Sequence, residues 1–358
     1  MDVGTTFAGL VIALIALPAW AQTKDGTASQ CGRTYDETSI SACTAQIQSG
    51  RESKTDLAVA YYNRGEAYNV MGLQDQAIPD YNQAIGLKPD FPDTYSSRAA
   101  AFDSKGLYYQ VKGLNNQAMA LFEEAIADCT RAIALKPDFA NAFFNRGNAY
   151  NHMGAYDRSI VDFTQAIALK SDDADAYYNR ANGYIAESLY DLAIADLTQA
   201  ITLKSDDAVF YASRGVAYNA TGQYDRAIGD LTRAITLDSN DAASLHNRGL
   251  AYGAEGRFDQ AIADDTKAIA LKPGLAGAYN GRAWTLHVMG RDAKALPDAQ
   301  MAVDLAPQDA NCIETRAEIY EKLGRRDEAI ADYRTALKIV PSMKEAHDGL
   351  ERLNLKPQ

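Results

Sequence analysis

One feature limits the possible folds of this chain more than any other: a short segment recurs along most of its length. The stretches YYNRGEAYNVMG and FFNRGNAYNHMG begin at Tyr61 and Phe143, and related stretches begin at Tyr177, Tyr211 and Leu245. Each contains an arginine followed by a small residue, and the small residues lie 34 positions apart except for one interval of 48. They are Gly65, Ala99, Gly147, Ala181, Gly215, Gly249, Ala283 and Ala317. Such a period predicts stacked copies of one structural unit.

The residues of each unit predict two helices joined by a turn. Apolar side chains recur three and four positions apart, which is the spacing of one helix face. A turn residue such as Gly154 or Ser188 divides each unit, and a proline or serine such as Pro137 ends it. Small side chains allow the two helices to approach closely, and a large side chain fills the space beside them.

This alternation resembles the tetratricopeptide repeat (TPR) family over about residues 57–343, which would hold eight repeats. The resemblance implies an all-α fold, a right-handed α-α superhelix of helix hairpins, or TPR solenoid. It also implies a scaffold without catalytic activity that binds a protein or peptide segment in the concave groove. We expect capping helices within residues 22–56 and 344–358, because the end faces of such a stack need covering.

The interval of 48 residues falls in the second repeat, at about residues 92–139. Its fourteen additional residues make two sevens, and seven residues are close to two helical turns. We therefore predict that each helix of this hairpin is seven residues longer than its counterparts, with the turn at Gly113. A simple loop insertion is the alternative.

The start of the chain predicts export. Residues 7–19 are almost entirely apolar, and the small-x-small motif Ala19–Trp20–Ala21 follows them. This pattern is typical of a signal peptide, residues 1–21, cleaved after Ala21. It would place the mature chain in a periplasm or outside the cell, with no stable membrane insertion. An uncleaved anchor is the alternative, although the apolar stretch is shorter than the ~20 residues of a membrane span.

Export changes the interpretation of the four cysteines. Cys31 and Cys43 lie close together in sequence, and an oxidising compartment would favour a disulfide between them. Cys129 and Cys312 lie far apart inside helical patterns, which predicts isolated, buried thiols.

An arginine recurs before each small residue, and an aspartate recurs in each second helix. In the TPR family the arginine position is commonly leucine, so the resemblance does not explain it. We predict a repeated ion pair between stacked helices, within a repeat or between neighbours; a row of arginines that binds an anionic ligand is the alternative. The pairs are Arg64 with Asp80, Arg98 with Asp128, Arg146 with Asp162, Arg180 with Asp196, Arg214 with Asp230, Arg248 with Asp264, Arg282 with Asp298 and Arg316 with Asp332.

Composition and motifs argue against several functions. The net charge of -12 disfavours nucleic acid as a partner, because no basic field attracts phosphate. The four histidines are at least 41 residues apart, and no phosphate-binding loop, GxSxG elbow or HExxH helix occurs. We therefore expect no catalytic residues, no metal site and no cofactor.

The TPR resemblance also implies which residues face the groove: those three before, one after and four after each small residue. Aromatic rings offer stacking area, and asparagine can donate to and accept from a peptide backbone. Few groove positions hold Lys or Arg, so a neutral or basic peptide fits best. Self-associating assembly and glycan binding are the alternatives. The groove candidates are Tyr62, Glu66, Asn69, Phe144, Asn148, Asn151, Tyr178, Asn182, Asn219, His246, Trp284 and His287.

Two residues in the later repeats depart from this pattern. Asp265 occupies a position that is usually apolar, and Pro297 falls early in a second helix. Both departures make the repeats that contain them weaker matches to the family.

Overall fold

The computed structural model describes residues 31–353, whose regular secondary structure consists of eighteen α-helices. The predicted signal peptide, residues 1–21, lies outside the described residues. The fold is all-α, as the period predicted. Within residues 31–353, none of the helices combines the length and apolarity that crossing a membrane would require.

The helices follow one another with short connections. They are α1 (Glu37–Gln48), α2 (Lys54–Val70), α3 (Gln74–Leu87), α4 (Pro92–Val111), α5 (Asn115–Leu135), α6 (Ala140–His152), α7 (Tyr156–Leu169), α8 (Ala174–Ala186), α9 (Tyr190–Leu203), α10 (Ala208–Ala220), α11 (Tyr224–Leu237), α12 (Ala242–Ala254), α13 (Phe258–Leu271), α14 (Ala276–Val288), α15 (Asp292–Leu305), α16 (Ala310–Lys322), α17 (Arg326–Ile339) and α18 (Lys344–Arg352).

The chain divides into two compact units, the first ending at Leu189 and the second beginning at Tyr190. In the first unit, α1 packs on α2, and the hairpins α2–α3, α4–α5 and α6–α7 stack in chain order, with α8 against α7. In the second unit, α9 packs on α10, and the hairpins α10–α11, α12–α13, α14–α15 and α16–α17 stack in the same way. Helix α18 packs on α17.

Where the small residue of a first helix is a glycine, it lies opposite a buried residue of the second helix. A Cβ atom added at Gly147 would lie 2.9 Å from a ring carbon of Phe163, so only a residue without a side chain fits against that ring. We call the residue sixteen positions after the small residue, or thirty in the second repeat, the slot residue. All eight slot residues are buried, and they are Tyr81, Cys129, Phe163, Leu197, Leu231, Asp265, Ala299 and Tyr333. Seven of them are apolar or aromatic, whereas Asp265 carries a carboxylate.

The second repeat contains the longest hairpin. Helix α4 has 20 residues against 13 in α6, and α5 has 21 against 14 in α7. The turn between them contains Gly113, whose φ of 74° is left-handed and favours glycine. The additional residues therefore extend both helices instead of forming a loop. At the tip of the hairpin, Tyr108 and Val111 are 59% and 70% exposed.

The cysteines fall into two classes. The Sγ atoms of Cys31 and Cys43 lie at bonding distance, 2.12 Å apart, and join the segment before α1 to that helix. Cys129 and Cys312 are buried and unpaired among the described residues. Burial raises the pKa of the Cys312 thiol to about 12, which keeps it protonated and unreactive at neutral pH.

Candidate functional site

The recurrent arginines bind aspartates of their own hairpin. Arg146 on α6 donates from Nε to Asp162 Oδ2 and from Nη2 to Oδ1, at 2.7 and 2.8 Å. The same two bonds join six further pairs: Arg64 to Asp80, Arg98 to Asp128, Arg214 to Asp230, Arg248 to Asp264, Arg282 to Asp298 and Arg316 to Asp332. Of the remaining two residues, Arg180 lies on α8 of the first unit and Asp196 on α9 of the second.

Most of these guanidinium groups also reach the preceding repeat. Arg214 donates from Nη1 to Thr198 Oγ1 on α9, at 3.0 Å. The Thr198 hydroxyl donates to Ile194 O at 2.7 Å, which leaves its lone pairs for the arginine. Arg214 also lies 5.9 Å from the ring centroid of Tyr211. Its three nitrogens are therefore engaged, and the arginine ties three helices together.

This arrangement argues against a row of arginines that binds an anionic ligand. The hydrogen bonds that Arg146 donates to Asp162 are the largest cause that raises the pKa of Arg146, so the arginine remains charged and paired. The carboxylate cancels the charge that a ligand would need, and its side chain is only 5% exposed. The threonine acceptor was missed from the sequence, although a Thr or Asn sixteen residues before most of these arginines marks it.

Two groove candidates, Tyr62 and Glu66, are buried instead of exposed. They are 2% and 1% exposed, so neither is accessible to a ligand. Tyr81, the slot residue, donates from its hydroxyl to Glu66 Oε1 at 2.5 Å. Burial raises the pKa of Glu66, and the fully buried Tyr81 occupies the space next to its carboxyl group, so the groove floor is closed here. The long side chains of the first repeat fill the space that the prediction assigned to a ligand.

The asparagines four positions after the small residues connect adjacent first helices. Asn151 donates from Nδ2 to Asn179 O at 3.2 Å, and Asn219 donates to Asn247 O at 2.8 Å. Their Oδ1 atoms are buried without a donor among the described residues, as is that of Asn69. These side chains support the stacking of repeats and offer little to a partner.

Two other asparagines remain accessible on neighbouring repeats of the first unit. Asn148 on α6 and Asn182 on α8 are half-buried, and within residues 31–353 their carboxamides form no hydrogen bond. Phe144 and Tyr178, each one helical turn earlier, are also half-buried. The Phe144 ring packs edge-on against Phe163, with centroids 5.7 Å apart, which fixes its position.

A pocket of about 200 Å³ lies among α12, α13 and α14 of the second unit. Its walls include Gly249, Gly253 and Gly281, with Asp265 at its base and Trp284 at its side. Trp284 is 45% exposed, whereas Asp265 is 1% exposed. His246 lies next to the pocket, and its Nδ1 is 2.8 Å from Asp265 Oδ1. The structure therefore brings the predicted His246 and Trp284 close to the anomalous Asp265.

The remaining candidate, His287, belongs to a cluster of charged side chains. Its Nδ1 is hydrogen-bonded to Asp292 Oδ1, and its Nε2 lies 3.6 Å from Glu318 Oε2. The hydrogen bond to Glu318 and the contact with Asp292 raise the pKa of His287. Nearby, burial and the charge of Glu318 raise the pKa of Glu314 to about 8. Both ring nitrogens of His287 are thus directed at carboxylates of the same cluster.

Sequence comparison identifies the family. Tetratricopeptide repeat and TPR repeat models match six stretches that together cover well over half of the chain, so the chain belongs to the tetratricopeptide repeat family. The matched stretches are residues 58–91, 147–187, 174–207, 215–256, 246–310 and 310–342. No curated protein matches the chain significantly.

Solved structures share the fold at low sequence identity. A tetratricopeptide repeat protein from Parabacteroides merdae is 17% identical with a TM-score of 0.56, over 71% of this chain and 97% of that one. The Cut9–Hcn1 structure is 16% identical in sequence with a TM-score of 0.55, over 88% of this chain and 82% of that one. PilW, described as a type IV pilus biogenesis factor, is 18% identical with a TM-score of 0.53, over 59% of this chain and 98% of that one. These similarities establish the TPR-like arrangement of helix hairpins.

Proposed function

We propose that this protein is an adaptor without catalytic activity that binds a protein or peptide segment on the first helices of its repeats. Family membership supports a protein-interaction scaffold in general. The observation that carries the more specific proposal is the pair of accessible carboxamides, Asn148 and Asn182, which recur one repeat apart on the first unit.

The chemistry of these residues suits a polypeptide backbone. Each carboxamide offers both donors and an acceptor, so it can bond a peptide N–H and a peptide C=O of a bound segment. Phe144 and Tyr178 add aromatic surface for an apolar side chain of that segment. The net charge of -12 favours a neutral or basic segment and disfavours nucleic acid.

The experiment is capture of partners by the purified chain, followed by cross-linking and affinity measurement with the isolated partner. We expect the double variant Asn148→Ala, Asn182→Ala to bind at least about tenfold more weakly, since several hydrogen bonds would be lost. The matched control is Asn116→Ala, which changes an exposed asparagine on α5 of the same unit. Equal affinity of the double variant and the control would refute the proposal, provided that both retain the wild-type helical content.

We also propose that the protein acts in a periplasm or outside the cell. The apolar residues 7–19, the motif ending at Ala21 and the proximity of the Cys31 and Cys43 sulfur atoms support export. Amino-terminal sequencing of the protein from its native cells tests this. A mature chain that begins at Gln22 is expected, and an intact amino terminus would contradict cleavage.

A second candidate function, self-association, is favoured by the tip of the α4–α5 hairpin, where Tyr108 and Val111 are exposed. Light scattering over a range of concentrations separates the two candidates. Oligomers that disappear with Val111→Glu would support self-association, and a monomer at all concentrations would exclude it.

A further inference from the structure

We infer that the pocket around Asp265 and Trp284 binds the cationic end of a lysine or arginine side chain. The inference rests on the proposed function in one respect: the cation would belong to the protein partner that the chain binds. It adds a position in the second unit that recognises charge, and this position differs in chemistry from the carboxamides of the first unit.

The pocket exists because Asp265 is a slot residue. The preceding slot residue is Leu231 and an earlier one is Phe163, and both fill the space opposite their small residues. An aspartate is shorter than phenylalanine and draws towards His246. The neighbouring wall positions, Gly249 and Gly253, have no side chains that could take the vacant space. The result is a cavity of about 200 Å³ beside the carboxylate of Asp265.

The base of the pocket carries an incompletely paired carboxylate. His246 Nδ1 bonds Oδ1 of Asp265, but no group among the described residues donates to Oδ2. This oxygen lies against Gly281, where an added Cβ atom would be only 2.7 Å away. The nearby Arg282 is already held by Asp298. Burial is the main cause that raises the pKa of Asp265, and it outweighs the hydrogen bond to His246, which lowers the pKa.

Trp284 supplies the second element of a cation site. Its indole is 45% exposed and forms one wall of the pocket. An ammonium or guanidinium group attracted to Asp265 Oδ2 would lie within reach of the indole face, where a cation–π contact adds to the charge interaction. The aliphatic stem of the same side chain would pack against Leu250, which is also exposed beside the pocket.

The arrangement selects an organic cation over other ligands. An anion would be repelled by Asp265, and a hard metal ion needs six or more oxygen ligands, whereas this pocket offers one carboxylate oxygen. A purely apolar side chain would leave Oδ2 buried without a partner, which is costly. Lysine and arginine side chains combine a cationic end with an apolar stem, as the pocket requires.

The test titrates the full chain carrying Trp20→Phe, so that Trp284 is the sole tryptophan and its fluorescence reports on the pocket. The probe is N-acetyl-lysine N-methylamide, and the neutral control probe is the same compound acetylated on Nζ. We expect a saturable change in emission with the cationic probe and none with the neutral one. Equal responses to both probes, or no saturable response to the lysine compound up to its solubility limit, would overturn the inference.

Three variants complete the test. Asp265→Asn should weaken binding about tenfold or more, because the charge is lost. Gly253→Leu should abolish binding by filling the pocket; an added Cβ there meets no atom closer than 3.8 Å, and circular dichroism checks that the variant is folded. The matched control, Gly229→Leu, changes an exposed glycine of α11 with no atom within 4 Å and should bind normally. Normal binding by Gly253→Leu would contradict the inference even if Asp265→Asn failed to fold.

These outcomes are separable from those of the proposed function. If the chain captures a protein partner but does not respond to the lysine compound, only the inference about the pocket fails. If it responds to lysine but Asn148 and Asn182 do not affect partner binding, only the proposal for the first unit fails.

Discussion

The first and sixth repeats both bury a carboxyl group beneath the groove, but they treat it in opposite ways. In the first repeat, the slot residue Tyr81 is fully buried and bonds Glu66, and the groove floor is closed. In the sixth repeat, the slot residue is itself an acid, Asp265, and a pocket of about 200 Å³ opens beside Trp284. The surrounding hairpin is the same in both, including the arginine–aspartate pair.

The difference teaches that the slot residue and the glycines around it together decide whether a hairpin is filled or leaves a pocket. Among the described residues, arginine–aspartate pairs join the two helices of seven hairpins, both where the slot residue is Tyr81 and where it is Asp265. A different slot residue therefore gives a repeat a different surface for a partner, while the arginine–aspartate pair of the hairpin is kept. Repeats of one family can diverge in binding by this route.

The largest expected effect comes from converting the closed repeat towards the open one. Tyr81→Asp should destabilise the first unit by at least about 4 kcal/mol, because a fully buried aromatic side chain is lost and a second acid is placed beside Glu66. Urea unfolding measures the change. The control is Tyr108→Asp at an exposed site on α4. Similar losses for the two variants would mean that Tyr81 does not close the floor.

The second prediction tests whether the arginine–aspartate pair contributes equally to the stability of the two repeats. Asp80→Ala and Asp264→Ala should each cost about 3–5 kcal/mol, because each leaves a partly buried arginine without its partner. Denaturant midpoints of the two variants should therefore shift to a similar extent. Asp206→Ala, at an exposed site, is the control and should change little. A large effect in one repeat alone would show that the slot residue and the ion pair are coupled.

A smaller effect is expected when the open repeat is closed. Asp265→Leu restores the apolar slot residue of Leu231 and Leu197 and should stabilise the second unit by about 1 kcal/mol, since a buried carboxylate is removed. His246 can turn its free nitrogen to water because its side chain is 16% exposed. Thermal unfolding monitored by circular dichroism provides the measurement. A destabilised variant would indicate that the pair of Asp265 and His246 is a structural requirement.

The smallest expected effect is that of Glu66→Gln on the pH dependence of the unfolding free energy. The effect is small because glutamine retains an acceptor for the Tyr81 hydroxyl. Burial raises the folded-state pKa of Glu66 above its ordinary value of 4.5. As pH rises from that value, the unfolded chain ionises first, so the wild type loses stability until Glu66 ionises in the folded state. The glutamine variant lacks this loss. Its advantage in unfolding free energy should therefore grow between pH 4 and neutrality; a constant difference would contradict the assignment.

Much of the fold was predictable because the period can be read directly from the spacing of residues along the chain. The small residue at Gly147 and the slot residue at Phe163 define a hairpin by their spacing alone, and the fourteen additional residues of the second repeat could only preserve both helix faces as two sevens. The pairing of seven arginines with aspartates of their own hairpins required coordinates, because an offset of sixteen residues does not show whether an arginine binds within its repeat or to the neighbouring repeat.

The site was less predictable because exposure depends on side chains from several helices. Tyr62 and Glu66 occupy groove positions by register, but Tyr81 and Ser97 cover them. Asn151 has the right position and chemistry, yet the backbone of the next repeat uses its amide. The pocket is space that the side chains of α12, α13 and α14 leave unfilled. An acid in the slot together with glycines at 249, 253 and 281 was the signal that could have revealed it.

The most direct measurement is a crystal structure of the chain with N-acetyl-lysine N-methylamide. The contrast between a closed first repeat and an open sixth repeat predicts density for the ammonium group within about 3 Å of Asp265 Oδ2 and over the indole of Trp284, with the first repeat unoccupied. An empty sixth repeat, or a ligand bound with its ammonium turned away from Asp265, would contradict the account.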